Sequence, residues 1–220
     1  QKLDAGSWFA ERFRGEPIPS LIEAAEACKS KIDLLLDLKE QGDVYDKRVV
    51  EVINEHGDPA RTIIGVRSVE QAKRFRKLLP EARQLALIPD VDSIEAFAEA
   101  GVEFIRLWPR WLTESDEPVK RVQATGAKLH LNGESGSFSE TLALLAHEPD
   151  SLSSDNPRRQ RATLSRIANQ DLPTKLGDII ETSGNVRIEK GESGLGARAF
   201  LNRDYQIRSV PEELEGMARI

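Results

Sequence analysis

Several familiar features are missing from this sequence, and each absence excludes something. There is one cysteine in 220 residues, Cys28. No internal disulfide can form, and the redox compartment is left open. Cys28 lies in an Ala-rich helical stretch and reads as a small buried apolar residue. No apolar run approaches the roughly 18 residues needed to cross a bilayer, so no membrane span is expected. Runs of Lys or Arg are absent too, and a net charge of −6 argues against a general nucleic-acid binder. No strand leads into a Gly-rich phosphate turn, which disfavours a Rossmann-type sheet. No signal peptide is visible, and the chain opens on Gln1 rather than Met, as expected of a processed form or a cut piece of something longer. What is present is 39% hydrophobic and 31% charged residues, the composition of an ordinary globular protein. The length suits one large domain, or one domain with an appendage.

The most informative stretch is Lys31-Ile-Asp-Leu-Leu-Leu-Asp-Leu-Lys-Glu40. As a strand it puts Leu34, Leu36 and Leu38 on one face and Asp33, Leu35, Asp37 and Lys39 on the other. In a parallel barrel the leucines pack on helices, while Asp37 and Lys39 reach the carboxyl-terminal mouth where such barrels keep their sites. In an edge strand the same pair is simply solvated.

Around this stretch, strands and helices alternate. Ser20 with Glu23 forms a capping box before a helix over Leu21–Lys29. Asp43–Glu55 carries a helical stripe of Val44, Val49, Val52 and Ile53, closed by His56-Gly57-Asp58-Pro59 with His56 as a helix-end cation. Further strands are expected over Arg61–Val66, Gln84–Ile88, Phe104–Trp108, Lys128–Asn132 and Ser151–Ser154. Further helices are expected from Ser68 to about Leu79, from Asp92 or Ser93 to Gly101, over Glu117–Thr125 and Ser139–His147, and from Asn156-Pro157 to about Ile167. Six strand–helix units at roughly 20–28 residue spacing imply a parallel sheet with helical crossovers. The fold class that fits is α/β: an incomplete (β/α)8 TIM-type barrel over 1–167. Residues 168–220 read as a β-rich appendage or the start of a second domain, with strands at Thr182–Ile188, Ala199–Leu201 and Tyr205–Val210, Gly-rich turns at Gly191, Gly194 and Gly196, and a short helix at Pro211–Glu215.

On this reading other strand ends become candidates for a substrate site. Arg67 follows its strand and reads either as a forked donor that reaches a phosphate or as a plain surface arginine. Asn132 faces inward nearest the mouth, with His130 one layer below as a satisfied inner histidine. Trp108, and with it Trp111, lines the mouth or the core. Asp155 and Asn156 read most simply as the cap of the last helix.

The segments Leu3-Asp-Ala-Gly-Ser-Trp-Phe9, Ile18-Pro-Ser-Leu21 and Leu36-Asp-Leu-Lys39, with Ser153-Ser-Asp-Asn-Pro157 at the end, resemble the glycerophosphodiester phosphodiesterase family, in order and at suitable spacing. The resemblance implies a (β/α)8 barrel binding one divalent metal, Mg or Ca, that hydrolyses a small-molecule glycerophosphodiester to an alcohol and glycerol phosphate. It implies that Asp37 is a metal ligand, in a place more often Glu, that Lys39 faces the substrate phosphate, and that Trp8 and Phe9 edge the substrate pocket. The family's His-Arg-Gly strand does not occur in these 220 residues, nor does a Glu-x-Asp strand next after it, and His56, His130 and His147 stand elsewhere. The chain is therefore expected to lack the acid–base pair and to be inactive alone. Two other readings stay open: a non-catalytic phosphate-binding or scaffolding barrel, and an unrelated barrel enzyme using the Lys39 amine. Oligomeric state and location are left open.

Overall fold

The computed structural model describes residues 3–169, 186–190 and 197–201, the last two ranges as backbone. Six parallel strands follow one another in chain order through one sheet, each followed by a helix. This is the βα succession of a TIM-type barrel. The strands are β1 (Leu34–Asp37), β2 (Thr62–Val66), β3 (Arg83–Ala86), β4 (Phe104–Leu107), β5 (Lys128–Asn132) and β6 (Ser151–Ser153). The helices are α1 (Leu21–Cys28) before β1, then α2 (Asp43–His56), α3 (Val69–Leu78), α4 (Ile94–Glu99), α5 (Glu117–Thr125), α6 (Phe138–Leu145) and α7 (Pro157–Ala168). By contacts the chain divides into one unit of Gln1–Ile105 with Thr125–Ala127, and another of Arg106–Ala124 with Lys128–Ile220.

In the first unit, β1 pairs with β2 from Leu34↔Thr62 to Asp37↔Gly65, and β2 pairs with β3. The strand forms because β-branched Thr62, Ile63, Ile64 and Val66 suit a pleated, packed surface. Gly65 has a separate reason. A Cβ there would stand 2.9 Å from the Leu36 carbonyl oxygen and 3.0 Å from Leu87 Cδ1, so only glycine lets β1 lie this close beside Asp37. The core of the unit is built from Ile64, Val66, Ala72, Phe75, Ile53 and Ile88, each at most 1% exposed. The capping box at α1 is present, with the Ser20 hydroxyl accepting from Glu23 N and the Glu23 carboxylate accepting from Ser20 N. His56 ends α2, and its Nδ1 lies 2.8 Å from Glu26 Oε1.

Several expectations need correction. The first strand spans four residues, not ten, because Asp33 turns to Arg61 and Arg83 at its amino end. Val44 is 87% exposed, because it lies in the first turn of α2 beyond the buried stripe of Val49, Val50, Val52 and Ile53. Cys28 is half-buried. The turn before α4 is capped by Asp90, whose carboxylate accepts from Ser93 N.

In the second unit β5 pairs with β6, placing His130 opposite Ser151 and Asn132 opposite Ser153. Leu129 and Leu131 are buried as alternation requires. Asn156 caps α7 by accepting from Arg159 N at 3.1 Å, with Pro157 in the first turn. Beyond this, β7 (Val186–Lys190) and β8 (Ala197–Leu201) pair antiparallel where short strands are expected. The expected features at Tyr205–Val210, Pro211–Glu215, Gly191, Gly194 and Gly196 lie outside the described residues.

Candidate functional site

Asp37 is the last residue of β1, Lys39 follows two residues later, and Arg67 is the first residue after β2. The parallel register that pairs Asp37 with Gly65 brings these three side chains together at the carboxyl ends of the two strands. The Asp37 carboxylate accepts from Lys39 Nζ on Oδ2 at 2.5 Å and from Arg67 Nη2 on Oδ1 at 2.6 Å. Arg67 Nε donates to the Leu38 carbonyl at 2.6 Å, which orients the guanidinium plane. Burial on its own raises the Asp37 carboxyl, but the hydrogen bonds from Lys39 and Arg67, with their charges, outweigh it and hold Asp37 below the ordinary carboxylate range. Asp37 is therefore ionised at neutral pH and is not a proton donor.

The cluster can bind an anion. Lys39 spends one of its three donors on Asp37, and among the described residues Nη1 of Arg67 has no partner. These spare donors suit a tetrahedral oxyanion. A hard divalent cation, by contrast, takes six or so oxygen ligands. The cluster supplies one carboxylate, both of whose oxygens carry cations, and no group of three His, Cys, Asp or Glu suited to a metal occurs among the described residues. As arranged, these residues do not fit Mg or Ca.

Trp8 and Phe9 are set in a loop of the same unit, 81% and 65% exposed. Their ring contacts are with each other at 5.8 Å and with Phe13 at 5.7 Å from Phe9. Asp4, which gave no sign of a role in the sequence beyond its place before Gly6 and Ser7, pins this loop. Its carboxylate accepts from Gly6 N, Ser7 N, Ser7 Oγ and Gly15 N at 2.6–3.0 Å. The Ser7 hydroxyl, then the backbone N–H groups of Ser7, Gly15 and Gly6, hold Asp4 far below the usual carboxylate range.

In the second unit, Trp108 follows β4 half-buried, with the Arg106 guanidinium 4.3 Å and that of Arg110 4.9 Å from its ring centre. Asn132 is half-buried at the end of β5. His130 is a satisfied inner residue. It is 9% exposed, its Nδ1 meets Ser151 Oγ at 2.8 Å, and burial, then the Arg106 charge, push it down to about 4, so it is neutral at physiological pH.

Sequence reasoning missed a second carboxylate–cation cluster. Asp33, at the amino end of β1, takes Arg61 at 2.8 Å and Arg83 at 2.7 Å. It sits at the stability end of the strand rather than the site end. The buried polar residues Gln71 and Asp46, both 0% exposed, were also missed. A buried polar residue on an amphipathic helix leaves no signature in the chain.

The fold is a TIM-type α/β scaffold that carries the Asp37–Lys39–Arg67 cluster at strand ends. The proteins it resembles are glycerophosphodiester phosphodiesterases. The chain is 33% identical over 82 residues to YhdW of Bacillus subtilis, named for that activity, covering 36% of this chain and 34% of that one. It is 27% identical over 135 residues to the glycerophosphodiester phosphodiesterase of Caldanaerobacter subterraneus subsp. tengcongensis, covering 59% and 55%. The crystal structure of the Agrobacterium tumefaciens enzyme matches with a TM-score of 0.58 at 18% identity, over 71% of this chain and 66% of that one. One from Parabacteroides distasonis matches at 0.55 and 17%, over 72% and 57%. No family model matches the chain. The chain thus has the fold of these enzymes and spans 34% and 55% of the length of the two curated relatives.

Proposed function

We propose that this chain carries the phosphate-binding part of a phosphodiester hydrolase site of the glycerophosphodiester phosphodiesterase type. The observation that carries the reading is the pair of cations, Lys39 and Arg67, held together on Asp37 at the carboxyl ends of β1 and β2. In such a site the ammonium and the guanidinium neutralise the non-bridging phosphate oxygens, and the developing charge of the displacement falls where these donors already point. Asp37 keeps the two cations from spreading apart by mutual repulsion. The names of the relatives supply the substrate class, a glycerophosphodiester.

The metal that the resemblance implies requires Asp37 to leave its two cations, so we assign the cluster to the substrate phosphate. The residues of the described cluster stabilise charge and transfer no proton. We therefore expect residues 1–220 alone to bind the diester and its glycerol phosphate product without turning the diester over. Trp8 and Phe9, rigid on the Asp4-pinned loop, are proposed as apolar contacts for the substituent on the phosphate.

The test is calorimetric titration of the protein with glycerophosphocholine, beside release of glycerol phosphate from the same diester. Wild type should bind, and Lys39→Ala/Arg67→Ala should bind at least about thirtyfold more weakly, two charge-assisted contacts being removed. Absence of binding in wild type, or equal binding in the double variant, would overturn the proposal.

A further inference from the structure

We propose that Gln71 is a positioning residue for the anion site: its buried amide ties the β1–α2 loop to the β2–α3 turn and so fixes where Arg67 stands relative to Lys39. The inference rests on the reading of Lys39 and Arg67 as phosphate donors and deepens it. Gln71 lies in the first turn of α3 and is 0% exposed. Its Oε1 accepts the backbone N–H of Arg67 at 2.9 Å. Its Nε2 donates to the Glu40 carbonyl at 3.2 Å and to Oδ1 of Asp46 at 3.1 Å. The partners therefore come from the β2–α3 turn, the β1–α2 loop and helix α2. Both amide hydrogens and the oxygen have partners, and the orientation is forced, because a backbone N–H requires the oxygen and a carbonyl requires the nitrogen.

Asp46 completes the anchor. It is also 0% exposed, and its Oδ2 accepts from Arg74 Nε at 2.8 Å, so the buried charge is paired. An exposed second tie runs alongside, with Ser68 Oγ donating to Gln41 Oε1 at 2.5 Å. Ser68 also caps α3 by accepting from Gln71 N at 3.2 Å. Both ties reach the chain beside the site: Glu40 and Gln41 follow Lys39 directly, and Ser68 follows Arg67. A side chain needed only to fill the core would serve as well as leucine beside Ala72 and Phe75, at no cost of burying an amide. Here the amide is spent on the backbone of the two segments that carry the phosphate donors.

The experiment is titration of the whole chain with inorganic phosphate, using Gln71→Leu and Gln41→Ala, each in the wild-type and in the Arg67→Ala background. Gln71→Leu should weaken phosphate binding about five- to tenfold and Gln41→Ala about two- to threefold, whereas in the Arg67→Ala background neither should lower it further. Equal losses in both backgrounds, or unchanged affinity in the folded variants, would overturn the inference. Should circular dichroism show Gln71→Leu unfolded, the exposed Gln41→Ala decides by the same comparison. Failure of wild type to bind phosphate sinks the phosphate reading of the site itself. Loss of binding in Arg67→Ala, with normal binding in Gln71→Leu and Gln41→Ala, sinks this inference alone.

Discussion

Arg67→Ala probes the site most economically, because this side chain makes two of its three defining bonds. The substitution removes the 2.6 Å contact to Asp37 and the 2.6 Å bond to the Leu38 carbonyl. The ion pair is partly solvated, with side chains 30% and 39% exposed, so it contributes about 0.2–1 kcal/mol rather than a buried-pair value. The carbonyl bond adds about 1 kcal/mol. The protein should lose about 1–2 kcal/mol of stability near neutral pH, read as a lower denaturant midpoint with unchanged slope. Phosphate affinity should fall about tenfold, one charge-assisted hydrogen bond to the anion being lost. The pH dependence carries a sign that can be checked. The folded Asp37 carboxyl lies below its ordinary 3.8, so the stability it contributes is present above 3.8 and is lost as pH falls through the folded value. The gap between wild type and Arg67→Ala should therefore narrow below pH 3.8, and the Asp37 titration, followed by carbon NMR, should move upward in the variant. A gap that stays constant from neutral pH down to pH 3, with phosphate binding unaltered, would refute the reasoning.

Three further outcomes are expected. Gly65→Ala should destabilise the protein and weaken phosphate binding together, since its Cβ meets the Leu36 carbonyl at 2.9 Å and pushes β1 and Asp37 away; an affinity equal to wild type in the folded variant would contradict this. Asp33→Asn, which disturbs the cluster at the opposite end of the same strand, should lower the denaturant midpoint and leave phosphate affinity unaltered; a change in affinity would show that the two ends are not separate. Millimolar Mg or Ca should leave the melting temperature of residues 1–220 where it is, while glycerol phosphate at about a hundred times its Kd should stabilise by about 2.7 kcal/mol. A rise with Ca that Asp37→Asn abolishes would reinstate Asp37 as a metal ligand.

Much of the fold could be read from the chain because its signals are local. Ser20 with Glu23, Ser68 before α3 and Asn156-Pro157 before α7 each satisfy nearby backbone groups, so the residue types alone announce the helix starts. Alternation in Leu34–Asp37 separates the half-buried Leu34 and Leu36 from the exposed Leu35 and Asp37, whereas in Leu129–Asn132 both faces are covered, His130 being buried between Leu129 and Leu131. The site was legible only in part. Asp37 and Lys39 share a face by strand period, but that Arg67 closes on the same carboxylate depends on the β1–β2 register, a non-local quantity. The Asp33 cluster escaped notice for the same reason, its partners lying 28 and 50 residues away. Gln71 was invisible because its role depends on which backbone groups surround it.

The central claim is that Lys39 and Arg67 receive a phosphate, and the most direct measurement is the crystal structure of the protein grown with glycerol phosphate. The account predicts phosphate oxygens within about 3 Å of Arg67 Nη1 and Lys39 Nζ, with Asp37 still on both cations and Gln71 still bonded to Arg67 N. Phosphate bound elsewhere, or a cation on Asp37 with Lys39 and Arg67 turned away, would contradict it.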